Sequence, residues 1–185
     1  MLNFLKKKPP SDPCILYDQI WSKDVLDYYR EMCLDENWKG KQISPSLKKG
    51  DRQVYYVNED YPDPDNIINA YRNYLSPAVS SQLSQMISDG YSVDCKLSRY
   101  GKHQNYGWHC DASHRHTTNP EWARICSSIT YLNDDYEGGH TEFEKLIIKP
   151  ESGKTVVFPS AFIYPHRGNP VITGVKHILV MHFWA

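Results

Sequence analysis

Hydrophobic residues recur at helical spacing in the first 90 residues of the chain. Ser22, a preferred N-cap residue, precedes a helix that is predicted to carry Val25, Leu26, Tyr29, Met32 and Cys33 on one face. A second helix is predicted from Asp65, taken as its cap, to Leu75. A third is predicted from Ser76-Pro77 to Gly90, because proline favours a helix start and glycine a helix end.

The hydrophobic period changes to two at Tyr91. From Tyr91 to Ser98 apolar and polar residues alternate, which is typical of a half-buried strand. Further strands are predicted within residues 125–132, 141–148, 155–158 and 175–184, with turn residues between them. Short strands joined by turns, without a helical segment among them, predict an antiparallel sandwich or barrel.

Together these patterns predict an α+β fold that is mainly β, with the N-terminal helices packed on one face of a sheet. We expect residues 1–185 to form a single domain, in which residues 1–90 are a mainly helical support region for a β core at 91–185. Residues 39–52 are basic and contain two glycines and a proline, so they are predicted to form an exposed loop. That loop is either a solvated connection or a mobile cover over a site.

The charge balance and the cysteines exclude several classes of protein. The 185 residues carry 21 Lys and Arg against 22 Asp and Glu, and this net charge of −1 argues against a nucleic-acid binder. No apolar run approaches the roughly 20 residues of a spanning helix, and residues 2–5 are too short for a signal peptide. We therefore expect a soluble cytoplasmic protein without nucleic-acid or membrane partners, whose five scattered cysteines are buried, inert thiols.

Candidate metal ligands begin with the triplet His109-Cys110-Asp111. Residues i and i+2 of a strand point to the same face, so the imidazole and the carboxylate can converge on one ion. The candidates for a third ligand are the downstream histidines His114, His116, His140, His166, His177 and His182. His166 is favoured, because it lies between an apolar run and the turn at 168–170 and can face a cavity. Two histidines and one carboxylate are the ligands of non-haem Fe(II) oxygenases.

Lys176 follows His166 by ten positions and lies inside the apolar run 175–184. A lysine in such a strand needs either solvent, reached by its long stem, or an anionic partner. An organic acid that also chelates the metal would satisfy both the lysine and the metal site.

Residues 91–184 resemble the 2-oxoglutarate- and Fe(II)-dependent oxygenases, specifically their prolyl 4-hydroxylase-like branch. Tyr100 and Tyr106 stand nine and three positions before His109, as in that family. The other matching motifs are SSITYLN at 127–133, GGHTEF at 138–143, FPS at 158–160, His166-Arg167, Pro170-Val171, Gly174 and Lys176. The order and spacing of these motifs carry the resemblance.

The resemblance implies a double-stranded β-helix, or jelly roll, of eight strands with iron at one open end. In it His109, Asp111 and His166 would bind Fe(II). Lys176 and Tyr131 would hold the distal carboxylate of 2-oxoglutarate, and Tyr100 would line that pocket. O2 would be the second co-substrate, with ascorbate as reductant.

The activity that the resemblance implies is hydroxylation of an unactivated C–H bond, with succinate and CO2 as co-products. A prolyl residue of a peptide or protein is the favoured substrate. A free amino acid, another small molecule or a lysyl side chain remains open. His114, Arg167 and Trp108 are candidate residues of a substrate rim beside the metal.

Some positions depart from the family pattern, and other functions stay open. Gly101 follows Tyr100 directly, and His182 stands where an aromatic residue is more usual. No Lys or Arg follows Lys176, which argues against the nucleic-acid demethylase branch. The alternatives are a non-catalytic jelly roll with a binding or structural role, and a zinc or manganese enzyme of the cupin type with His114 as a fourth ligand.

Overall fold

A computed structural model of the chain describes residues 12–43, 52–57, 63–112 and 123–185. The helices in these ranges are α1 (Lys23–Met32), α2 (Asp65–Tyr74) and α3 (Pro77–Met86). The strands are β1 (Leu16–Gln19), β2 (Lys41–Ile43), β3 (Arg52–Tyr56), β4 (Ser92–Tyr100), β5 (Tyr106–His109), β6 (Arg124–Tyr131), β7 (Glu137–Gly138), β8 (Thr141–Phe143), β9 (Leu146–Ile148), β10 (Lys154–Pro159), β11 (His166–Gly168), β12 (Val171–Thr173) and β13 (Lys176–Trp184).

All three predicted helices form, and their ends follow local chemistry. At α1 the Ser22 side chain accepts a hydrogen bond from the Val25 amide at 3.4 Å, as expected of its cap. At α2 the prediction of Asp65 as the cap is wrong. Asp65 is the first helical residue, and the carboxylate of Asp63 accepts the hydrogen bond from its amide at 2.9 Å.

The strands form antiparallel ladders in three sheets. The largest has the order β1-β10-β6-β13-β4-β3-β2, the second β5-β11-β8-β9 and the smallest β12-β7. At its centre β13 pairs with β4 on one side, from Lys176 opposite Tyr100 to Trp184 opposite Ser92, and with β6 on the other. The predicted α+β, mainly β character is confirmed by these sheets and helices.

Two clusters of buried hydrophobic residues lie on opposite faces of the seven-stranded sheet. One joins Leu179, Met181 and Phe183 of β13 to residues of all three helices, such as Leu26 and Ile67. Because side chains alternate along a strand, the intervening residues of β13 belong to the second cluster or to a cavity. The second cluster joins the other face to Phe143 and Ile148 of the smaller sheet.

The prediction of an exposed loop over residues 39–52 is wrong where the structure describes it. Residues 41–43 form β2, and Arg52 begins β3, which pairs with β4 through Val54 opposite Ser98. Arg52 and Val54 are buried on alternate positions, so tertiary pairing overrides the basic, glycine-containing composition. Residues 44–51, on which the idea of a mobile cover rests, lie outside the described residues, as do His114 and His116.

The predicted strands after residue 91 form with shifts at their ends, and residues 141–148 divide into β8 and β9 around a turn. β1 was not predicted, although it pairs with β10 along four residues. All five cysteines are free thiols; Cys33, Cys95 and Cys126 are buried as expected, whereas Cys14 and Cys110 are partly exposed. In the described ranges no helix has the length and apolar character needed to cross a membrane.

Candidate metal centre

Neighbouring strands bring His109, Asp111 and His166 together. β5 and β11 are antiparallel, and His166 lies opposite His109 in their register. Asp111 lies two residues beyond β5 and turns back towards the pair. Its carboxylate oxygens are 3.5 Å from Nε2 of His109 and 3.9 Å from Nε2 of His166. One potential ligand atom from each residue lies within 4.8 Å of the others, which is close enough for all three to bind one ion.

Both imidazole rings are oriented by backbone carbonyl groups. Nδ1 of His109 donates to the Gly107 carbonyl oxygen at 2.8 Å, and Nδ1 of His166 donates to that of Tyr164 at 3.2 Å. A carbonyl oxygen only accepts, so each Nδ1 carries a proton, and Nε2 is the ring nitrogen that is placed to bind a metal. Metal-binding histidines characteristically have their second nitrogen fixed in this way.

Burial sets the charge of this cluster. The pKa of His166 is lowered to about 4, chiefly because its ring is desolvated. Burial raises the pKa of Asp111, but the hydrogen bond from His109 and the nearby histidines outweigh it, so the pKa lies well below its usual value. At neutral pH the carboxylate is therefore ionised and His166 is neutral, the protonation states that a divalent cation requires.

Lys176 lies in the same cavity and is 3% exposed. Its ammonium group donates to the Gly139 carbonyl oxygen at 2.6 Å, and among the described residues no carboxylate pairs with it. Burial alone lowers the pKa of Lys176 to about 7. Gly139 has a φ of +62° and permits this approach, because a Cβ there would lie 3.0 Å from Cδ of Lys176. The site therefore contains a buried cation that lacks an anion.

Tyr100 and Tyr131 flank the lysine, with ring centroids 5.4 and 5.5 Å from its ammonium nitrogen. The Tyr131 hydroxyl donates to Oγ1 of Thr141 at 2.6 Å, and Thr141 lines the cavity. Burial raises the pKa of both tyrosines, to about 12 for Tyr100, so both hydroxyls keep their protons at neutral pH. We did not single out Thr141 in the sequence, although it lies within the GGHTEF motif.

The three candidate ligands, Lys176 and Tyr100 line one cavity of about 250 Å³. Ile129, Ile178 and Val180 of the large sheet form its apolar part. The cavity is thus a small pocket with a cluster of metal-type ligands and a buried ammonium group, which suits a compact acid that also binds a metal.

The sequence model of the 2OG-Fe(II) oxygenase superfamily matches residues 95–184, which include the three candidate ligands and Lys176. The resemblance of residues 95–184 to this superfamily is thereby confirmed. The family implies Fe(II), 2-oxoglutarate and O2. A search by sequence among curated proteins gives no significant match.

Solved prolyl hydroxylases share the fold of this chain. The 2OG complex of the viral collagen prolyl hydroxylase vCPH from Paramecium Bursaria Chlorella virus-1 has a TM-score of 0.67 and 22% identity, over 92% of this chain and 96% of that one. A Pseudomonas putida prolyl-4-hydroxylase has a TM-score of 0.65 and 17% identity, over 92% and 91%. A Trichoplax adhaerens prolyl hydroxylase, in complex with a hypoxia inducible factor oxygen degradation domain peptide fragment, has a TM-score of 0.60 and 16% identity, over 92% and 82%. At these identities the similarity establishes the fold.

Arg167 and Trp108, predicted at a substrate rim beside the metal, lie side by side. The Arg167 guanidinium donates to the Glu142 carboxylate at 2.8 and 2.9 Å and lies 5.0 Å from the centroid of the Trp108 ring. Arg167 lines the cavity, whereas the Trp108 side chain is largely turned to solvent, with the residue 45% exposed. His114, the third predicted rim residue, lies outside the described residues.

Among the other residues that line the cavity are Arg52 and Lys96, which the sequence analysis did not assign to the site, and His182, which it considered only as a possible third metal ligand. His182 lies between two carboxylates. Its Nδ1 is 2.6 Å from an oxygen of Asp94, and its Nε2 is 3.7 Å from an oxygen of Asp111. The sequence contained a clue to two of these residues. His182 departs from the family pattern, and Lys96 lies at a polar position of an alternating strand.

Proposed function

We propose that this protein is a dioxygenase that uses Fe(II) and 2-oxoglutarate to hydroxylate an unactivated C–H bond, releasing succinate and CO2. The observation that carries the proposal is the placement of Lys176. A buried ammonium group without a carboxylate partner shares a small cavity with two histidines and an aspartate. One dicarboxylate that also chelates a metal accounts for both features.

His109, Asp111 and His166 would hold the Fe(II). Three protein ligands leave coordination positions open for other molecules. The bound metal would supply the activation of O2 that the side chains themselves lack. The contribution of the chain is to fix both imidazoles through Gly107 and Tyr164, and to keep Asp111 ionised at neutral pH.

Lys176 would bind the distal carboxylate of 2-oxoglutarate, with Tyr100 lining the same pocket. Because burial raises the pKa of the Tyr100 hydroxyl, it would remain a hydrogen-bond donor across the physiological range. Tyr131 would help to hold the acid through Thr141, to whose Oγ1 the Tyr131 hydroxyl donates a hydrogen bond in this structure. The apolar residues Ile129 and Ile178 would keep water away from the methylene groups of 2-oxoglutarate.

The seven-stranded and four-stranded sheets would be the two walls of a double-stranded β-helix, within a single domain. Two observations support this. Residues from both sheets fill one hydrophobic cluster, and the shared fold extends over 92% of the chain for each of the three prolyl hydroxylases described above.

A prolyl residue of a peptide or protein is the proposed substrate, because the similar structures include prolyl hydroxylases and one of them holds a peptide. The test is incubation of proline-containing peptides with the protein, Fe(II), 2-oxoglutarate and ascorbate, followed by mass spectrometry. We expect a gain of one oxygen atom on proline. Oxygen added only to free amino acids or to lysyl peptides would reject the prolyl substrate while keeping the oxygenase.

Succinate release separates an oxygenase from a non-catalytic jelly roll. Wild-type protein should convert 2-oxoglutarate to succinate with Fe(II), and the Asp111→Ala protein should not. If neither protein releases succinate under any substrate tested, the enzyme assignment fails. Metal analysis of protein purified without oxygen tests the cupin alternative, which requires zinc or manganese instead of iron.

A further inference from the structure

Two cationic side chains in the cavity have no task in the proposed reaction. Arg52 begins β3 and Lys96 lies in β4, and both line the cavity that holds the candidate metal ligands. Lys96 is four residues from Tyr100, which corresponds to about 13 Å along a strand. Since Tyr100 lies opposite Lys176 in the β4–β13 register, Lys96 is well separated from the proposed 2-oxoglutarate lysine.

Neither cation is paired within the described part of the chain. Arg52 is buried, and its guanidinium lies 3.8 Å from the centroid of the Tyr106 ring, with no carboxylate against it. The ammonium group of Lys96 forms no ion pair with a described residue either. The nearby carboxylate of Asp94 is already held by His182, Trp184 and Arg124.

A buried hydroxyl without a partner lies beside these cations. Ser98 is 1% exposed, lines the cavity, and is two residues from Lys96 on the same face of β4. Its Oγ is buried and has no hydrogen-bond partner among the residues that the structure describes. Buried polar groups are nearly always bonded, so an unbonded hydroxyl facing a cavity indicates a polar ligand.

The charges of the proposed cofactors leave these cations in excess. Fe(II) with ionised Asp111 has one positive charge, and 2-oxoglutarate with protonated Lys176 has one negative charge, so these groups balance. Arg52 and Lys96 remain. Burial lowers the pKa of Lys96 to about 8, the charges of Arg52 and Arg124 act in the same direction, and those of Asp94 and Asp111 oppose them. An additional anion in the cavity would favour the charged form of Lys96.

We propose that the wall formed by Arg52, Lys96 and Ser98 binds a carboxylate of the molecule that is hydroxylated. This inference rests on the proposed function, because it places the substrate in the cavity beside the metal. A guanidinium, an ammonium group and a hydroxyl together offer several donors to two carboxylate oxygens. The carboxylate belongs either to a free amino acid or C-terminal residue, or to an acidic side chain next to the oxidised residue.

The deciding experiment uses acetate as a bare carboxylate probe. Full-length ¹⁵N-labelled protein is loaded with Zn(II), as a diamagnetic substitute for Fe(II), and with N-oxalylglycine, which occupies the 2-oxoglutarate site. Acetate is then added while the Arg52 Nε–H and Ser98 amide signals are followed by NMR. We expect saturable shifts with acetate and none with neutral acetamide.

Matched variants assign the effect to the wall. Lys96→Met should weaken acetate binding about tenfold or more, because a charge-assisted hydrogen bond is lost. Lys145→Met removes the same charge from the exposed β8–β9 turn, outside the cavity lining, and should leave the affinity unchanged. Arg52→Gln should weaken binding similarly and provides a second, independent variant.

The outcomes separate this inference from the proposed function. If N-oxalylglycine fails to shift signals around Lys176, the oxygenase proposal fails. If N-oxalylglycine binds but acetate does not perturb the Arg52 signal, the carboxylate wall is refuted. It is also refuted if acetate binds Lys96→Met and the wild-type protein with the same affinity. If acetate binds, three kinds of prolyl peptide identify the source of the carboxylate. They carry a free C-terminal carboxylate, an acidic residue next to the proline, or neither.

Discussion

The two faces of the seven-stranded sheet are built from the same strands but have different chemistry. On β13, Leu179, Met181 and Phe183 face the helices in a closed hydrophobic cluster. Lys176 and His182, at alternate positions of the same strand, face the cavity. β4 shows a similar division, with Leu97 on the helix side and Lys96 and Ser98 on the cavity side.

The two faces contribute to the stability of the fold with opposite signs. Burial of the apolar face stabilises the fold by roughly 25 cal/mol for each Å² removed from water. The cavity face does the opposite, because Lys176 holds a buried charge and Ser98 a buried hydroxyl without a partner. Groups that disfavour folding without a ligand are expected where a ligand compensates for them.

The largest expected effect on the cavity face is that of Asp111→Ala. The substitution removes the one carboxylate of the candidate metal cluster, so we expect loss of Fe(II) binding and of succinate formation to below detection. Stoichiometric iron titration under nitrogen and a succinate assay measure both. Retained iron affinity in this variant would show that the metal is held elsewhere.

On the apolar face, Leu179→Ala should destabilise the fold without altering the cavity. Leu179 is 1% exposed and packs within the helix-side cluster, so we expect a loss of about 2–5 kcal/mol in the free energy of unfolding. Urea denaturation measures it. Val180→Ala, one residue along and facing the cavity, is the matched control and should destabilise less. Equal losses would contradict the division between the two faces.

Lys176→Met should weaken 2-oxoglutarate binding by roughly tenfold to a hundredfold, because a charge-assisted contact is lost. Calorimetric titration of metal-loaded protein measures this affinity. If the affinity is unchanged, Lys176 does not bind the acid.

The same variant should change the pH dependence of stability. The pKa of Lys176 falls from 10.5 to about 7 on folding, so the buried charge destabilises the folded state fully below about pH 7. Between those values the folded protein releases the proton that the unfolded chain retains, and stability rises with pH. Lys176→Met should therefore be more stable than wild type at about pH 6, by a margin that shrinks towards about pH 9. A margin independent of pH would show that the lysine is not buried.

The smallest effect is expected from His182→Phe, which restores an aromatic residue and removes the contacts to Asp94 and Asp111. His182 lies outside the cluster of three candidate ligands, so iron should still bind, with an affinity reduced by about tenfold or less. Competition with a chelator measures the change. Complete loss of iron binding would show that His182 is a fourth ligand of the metal.

The local features of the chain were largely predictable. Ser22 and the helical spacing behind it predicted α1, because capping and amphipathic packing act over a few residues. The alternation after Tyr91 predicted β4 for the same reason. The pairing of His109 with Asp111 followed from their spacing, whereas His166 had to be chosen from six histidines and its assignment relied on the resemblance to a family.

The sequence by itself determined the helices, the main strands of the second half and the residues that resemble an Fe(II) and 2-oxoglutarate site, because these depend on short-range patterns. Only the tertiary structure decided that Arg52 starts a buried strand, that His182 reaches Asp111, and that Lys96 and Ser98 share a cavity with the candidate metal ligands. These relations join residues from distant parts of the chain. Strand pairing and burial create them, and no local pattern records which strands become neighbours.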